Sequence, residues 1–155
     1  MADTAVTIAR NRVSELSIDE GAAVGYSVKF NVQYTDIAYG SGSTDTVTMT
    51  LGSTPALFYV DRALANVTTA FAGTTALTVT VGTTTTTNAF ITAQSVLTAG
   101  VLNGASTLPV LTSATATAAK NLVAVFTNAT GGSPSALSAG NMNIYLRVVD
   151  ASKLP

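Results

Sequence analysis

The sequence predicts an all-β fold: a two-sheet antiparallel sandwich, jelly-roll-like, with little helix. Three observations predict it. From Tyr26 to Tyr34, apolar and polar residues alternate without a break, which gives a strand one buried and one wet face. The same period of two recurs at Val47, Met49 and Leu51, and again at Leu77, Val79 and Val81, with threonines between them. Turn signals separate about seven to nine such stretches and no long helical pattern interrupts them, which suits a sandwich. Eight strands with longer connections favour a jelly roll over an immunoglobulin-like arrangement.

Residues 1–13 read as an N-terminal arm, and residues 14–155 as a single β-sandwich domain. In the arm, Val6 and Ile8 alternate with Thr7 and Ala9, so a short strand or an extended tail fits. Ser17 and Glu20 have capping-box spacing, but Gly21 limits any helix there to one turn. The next strand points Tyr26, Val28, Phe30, Val32 and Tyr34 to the core and Ser27, Lys29, Asn31 and Gln33 to water. Thr35 to Asp45 is a loop with Gly and Ser at its tip. A threonine-rich strand follows, ending at Gly52. Beyond Pro55, Phe58, Val60 and Leu64 share one parity, whereas Val67 and Phe71 share the other. A bulge near Ala65 or Asn66 would bring both sets to one core.

Ala72-Gly73-Thr74 is a turn, and Ala76 to Gly82 is the following strand. Thr83 to Thr87 reads as a polar loop. Asn88 to Gly100 fits a short helix or an irregular segment. Pro109 confines its neighbourhood to a sheet edge or a strand end, because it lacks a ladder donor. Leu122 to Phe126 is apolar on both parities, as in a central strand covered on both faces. Asn128 to Gly140 is a loop by composition, and Asn141 to Asp150 closes the fold.

The 155 residues are 47% hydrophobic and only 10% charged, where about 25% charged is usual. From Ala63 to Ala119 there is no Asp, Glu, Lys, Arg or His. Either hydroxyls replace charge as the source of solubility, or the uncharged surface is covered by another subunit. The net charge of −1 with no basic run speaks against nucleic-acid binding. The chain has no cysteine and no histidine, which removes thiol chemistry, disulfides, the commonest general base and the commonest metal ligand. No secretory signal and no apolar run of membrane-spanning length is visible.

What chemistry remains is carboxylate and hydroxyl. Asp19 and Glu20 are adjacent and point apart on an extended chain. Asp36 and Asp45 flank one loop without calcium-ligand spacing. Nothing sets a carboxylate pair across a cleft, as glycoside hydrolysis requires. Asn66-Val-Thr68 and Asn128-Ala-Thr130 match the glycosylation sequon by chance. The expectation is a non-enzymatic protein without cofactor or metal.

One segment is similar to a known family. Val67-Thr-Thr-Ala-Phe-Ala-Gly-Thr-Thr-Ala-Leu-Thr-Val-Thr-Val-Gly82, then Asn88-Ala-Phe-Ile-Thr-Ala and Leu97-Thr-Ala-Gly, resembles small tailed-bacteriophage virion proteins of the head decoration, or cement, type. Their pattern is a V-x-T-x-F to L-T-V-G hairpin followed by an A-F-(L/I) step. The resemblance covers about residues 60–100 and loosely Ile144 to Asp150. The family carries a charged residue after the Gly of its T-V-G step, and here Thr83 to Thr87 replaces it.

The resemblance implies a structural virion protein, assembled in the host cytoplasm, that binds the major capsid protein on the outside of the shell. It also implies a homotrimer, since cement proteins commonly cap local threefold positions. Arg10 and Arg12 are then candidates for capsid contact, and Tyr59, Phe71 and Phe90 for subunit contact. A tail, baseplate or fibre component is the alternative within virions. A carbohydrate-binding sandwich is the alternative outside them, with Tyr39 and Tyr59 as its exposed aromatics. Neither nucleic acid nor membrane is an expected partner.

Overall fold

A computed structural model of the chain describes residues 3–7, 13–15, 28–38, 46–54, 58–104, 110–111, 120–129 and 133–150. Among them are eleven strands: β1 Asp3–Thr7, β2 Val13–Glu15, β3 Val28–Gln33, β4 Thr46–Thr54, β5 Phe58–Ala72, β6 Leu77–Thr83, β7 Ile91–Ser95, β8 Gly100–Asn103, β9 Val110–Leu111, β10 Lys120–Asn128 and β11 Ala139–Asp150. Among the described residues, helix is confined to one turn at Tyr34–Ile37 and a 3-10 turn at Pro134–Ala136.

The strands form two sheets, ordered β1-β4-β10-β6-β7 and β2-β3-β11-β5-β8, with β9 also pairing β5. Eight of them nest in antiparallel pairs: β3 with β11, β4 with β10, β5 with β8, and β6 with β7. Each successive pair alternates between the two sheets, which is the wrapping of a jelly roll. β1 stands outside this plan, since it pairs in parallel with β4. Residues 3–7 of the expected arm are therefore a short edge strand, the first of the two alternatives the sequence left open.

Alternation decides the layers. Phe30 and Val32, Val47, Met49 and Leu51, Leu77, Val79 and Val81, and Met142, Ile144 and Leu146 all point between the sheets and are buried in one core. Val28, at the start of β3, and Tyr34, in the helical turn that follows it, pack against the core. β10 is central in its sheet, and Leu122, Val123, Ala124 and Phe126 are all buried, as its apolar run predicts. Across the core, the rings of Phe71 and Phe126 stand 6.0 Å apart at 42°, one from each sheet.

Three expectations are corrected. The parity switch in β5 lies at Asp61, where the register with β11 skips a residue between Val60 and Arg62. Ala63, Ala65 and Val67 consequently face the core and Leu64 turns outward. The small alanines are placed where β5 is flanked on both sides by paired strands. Secondly, Asn88 to Gly100 is not helical: Ile91–Ser95 is a strand on the edge of β6, held also by the Phe90 N–H to the Val81 carbonyl at 2.9 Å. Thirdly, Val67 to Gly82 is not a hairpin within one sheet. β5 and β6 belong to different sheets, and the turn between them crosses the sandwich. That crossing is fixed by Thr74 Oγ1 donating to the fully buried Asn128 Oδ1 at 2.9 Å, and by the Ser138 N–H donating to the Ala72 carbonyl at 2.9 Å.

Candidate functional site

The outward face of the β3-β11-β5-β8 sheet is built by strand parity. With Phe30, Val32, Ile144 and Ala65 turned inward, their neighbours must turn out. Strand register then lines them into rows. One row runs Asn31, Asn143, Asn66, Val101, and the next runs Lys29, Tyr145, Leu64, Asn103. Gln33 stands opposite Asn141, and Asn141 opposite Thr69.

The asparagines are locked together. Asn31 Nδ2 donates to Asn141 Oδ1 at 2.8 Å and Asn143 Oδ1 at 3.0 Å, and lies 3.4 Å from the Met142 carbonyl. An amide network whose members hold one another presents a fixed, uncharged, polar surface with little side-chain entropy left to lose on binding. Charge on this face comes from Lys29, in the row beside the asparagines, and from Arg62 and Arg147 at the far end. Arg62 and Arg147 stand directly opposite, a destabilising placement that Asp61 offsets through a 3.1 Å ion pair with Arg147. The bulge at Asp61 is what brings the carboxylate beside Arg147. Its other oxygen, Oδ1, is buried without a hydrogen-bond partner.

At the opposite end of the same sheet lies a cleft of about 290 Å³ lined by Gln33, Tyr34, Thr69, Ser138, Ala139, Gly140 and Asn141. Its walls are amides, hydroxyls and one phenol ring, with no charged side chain. The Gln33 N–H donates to the buried Asp36 carboxylate at 2.7 Å, which closes the helical turn carrying Tyr34. That bond gives Asp36 a structural duty and takes an oxygen from the acidic pair flanking the loop. Among the described residues, no three acidic side chains converge on a point that could hold a metal ion.

The residues expected at contacts are dispersed. Arg10, Arg12 and Tyr39 lie outside the described residues. Phe71 and Phe90 are 2% and 0% exposed and belong to the core, so their rings offer no surface to another subunit. Phe71 sits at even steps from the buried Ala65 and Val67, and Phe90 adjoins the buried Ile91, yet sequence alone does not separate an aromatic filling a core from one filling an interface. Tyr59 is half-exposed and pairs with Val149 of β11 and Leu111 of β9. Sequence reading did not find the asparagine network. Its signal was present in the outward parity of Asn31, Asn141 and Asn143, but the register that makes them neighbours was not.

Among the described residues no helix is long and apolar enough to cross a membrane. Comparison with protein-family models, with curated proteins and with solved structures finds no match for this chain. The functional reading therefore rests on the fold, the surface and the residues themselves.

Proposed function

We propose that this chain is a structural virion protein that decorates a bacteriophage capsid, binding its outer surface as a homo-oligomer, a trimer in the simplest case, and cementing neighbouring capsomers. The observation that carries the reading is the locked amide network of Asn31, Asn141 and Asn143 on the outward sheet face of a rigid jelly roll. It suits a protein whose work is to cover another surface. The likeness of Val67 to Gly82 to head decoration proteins points the same way. A jelly roll alone hosts many functions and adds little by itself.

The mechanism is mass action. A ligand that binds the assembled shell and not its free subunits raises the free energy of disassembly by its binding energy. Many copies act together, so each contributes modestly. The test is to heat particles with and without the protein and follow genome release. Release at a higher temperature with the protein is the expected result; equal temperatures exclude cementing. Labelled protein seen on the tail in micrographs would favour a tail, baseplate or fibre role instead. Because residues 3–7 pair with β4, replacing Arg10 and Arg12 by Ala tests the arm more cleanly than deleting it.

The charge-free cleft beside Tyr34 favours one second reading, a neutral saccharide held between the ring and the amides. Chemical-shift changes at Tyr34 and Asn141 on titration with neutral oligosaccharides would select it.

A further inference from the structure

Two edge strands lie along one side of the sandwich. β7 ends one sheet and β8 ends the other, and among the described residues β7 pairs with β6 alone and β8 with β5 alone. Gln94 Nε2 of β7 donates to the Asn103 carbonyl of β8 at 2.8 Å, so the two edges form one continuous rim. Thr92, Ala93, Ser95, Gly100, Val101 and Asn103 are exposed along it. Val101, at 57%, is the large apolar side chain that stands out in solvent among the described residues.

An exposed edge is a row of open N–H and C=O groups that templates pairing with another chain. Proteins that stay monomeric guard such edges with lysine, proline or inward charges. Neither Ile91–Ser95 nor Gly100–Asn103 contains a charged residue or a proline. Short strands and a register shift between Val79 and Val81 are their protection. The rim also belongs to the long stretch, Ala63 to Ala119, that carries no charge at all.

We propose that the β7–β8 rim is the surface through which this chain binds a second copy of itself, edge to edge. Charge selects this occupant. A partner with a charged contact surface would find no counter-charge on the rim and would lose hydration without compensation. A second copy brings an equally neutral rim, with no like charges to oppose. It also brings the donors and acceptors that the open edges lack. The inference deepens the functional reading above and rests on its homo-oligomer.

The test is light scattering across a concentration series on the whole chain, its Val101→Lys and Thr92→Lys variants, and Ser135→Lys as an exposed control outside the rim. Circular dichroism confirms that each variant is folded. The expected result is an oligomer for the parent and the control, and a dissociation concentration raised at least about ten-fold in both rim variants, since lysine on an edge strand opposes edge-to-edge pairing and a symmetric contact sets two like charges against each other. An oligomer that both rim substitutions leave intact overturns the rim contact and leaves the homo-oligomer standing. A parent chain that is monomeric throughout, yet binds capsids, overturns self-association and leaves decoration standing.

Discussion

Replacing Phe71 by Ala separates a core residue from an interface residue. The ring is 2% exposed, faces Phe126 across the sandwich at 6.0 Å, and lies against Gly140. Gly140 has φ +144, and a Cβ built there would come within 2.3 Å of the Phe71 ring. The glycine is thus the floor on which the ring sits, and it has no side chain with which to fill a hole. Truncating a buried Phe costs about 3–5 kcal/mol, and a site that collapses poorly lies towards the upper end. Part of that, about 0.5–1.5 kcal/mol, is the ring–ring contact itself. For a chain of this length each kcal/mol moves the melting temperature by about 2–4 °C, so the expected fall is about 6–20 °C.

The assay is thermal and urea unfolding at fixed protein concentration, with self-association measured in parallel, because oligomerisation shifts apparent stability. A loss below about 1 kcal/mol, together with weakened self-association, would refute the reasoning and return Phe71 to the subunit contact. A double-mutant cycle sharpens the result. Gly140→Ala alone places a methyl into the ring and adds backbone strain. In the Phe71→Ala background the same methyl enters an empty space, so the second substitution costs less by about 0.5–3 kcal/mol.

Other expectations follow from the same geometry. A Cβ at Gly82 would meet the Thr86 carbonyl oxygen and the backbone of Thr87 and Ala89, so Gly82→Ala forces the threonine turn away from β6 at about 1–3 kcal/mol; amide exchange should show faster opening at Thr83, Thr86 and Phe90, and unchanged protection there would refute the packing. Asp61→Asn removes the ion pair to a half-exposed Arg147 and leaves Arg62 and Arg147 opposed. The cost is at most about 1 kcal/mol and shrinks at high salt, so urea midpoints of parent and variant should converge as salt rises.

The sequence was most informative where one physical constraint acted alone. In β3, β4, β6 and β11, burying one face of a strand forces a period of two, so Phe30, Met49, Val79 and Ile144 announce their inward direction without knowledge of any neighbour. Leu122 to Phe126 is apolar on both parities, and β10 lies in mid-sheet with Leu122, Val123, Ala124 and Phe126 buried. The jelly-roll class followed from counting such stretches. Little helix followed from finding no helical period of useful length.

What tertiary structure decided are matters of pairing between distant residues. The bulge in β5 sits at Asp61 because β11 sets the register there, and local parity could not distinguish that position from Ala65. Ile91–Ser95 became a strand because β6 offered it an edge, although its own residues fit a helical turn as well. Phe71 and Phe90 look alike in sequence whether a core or a subunit contact buries them, since both remove the ring from water. The asparagine face and the uncharged rim arise only when strands far apart in the chain are set side by side. Asn31 and Asn143 become neighbours through the β3–β11 ladder, and Gln94 meets Asn103 where the two sheets end together. Composition fixed how little charge the surface could carry; the fold decided that β7 and β8 would carry none of it.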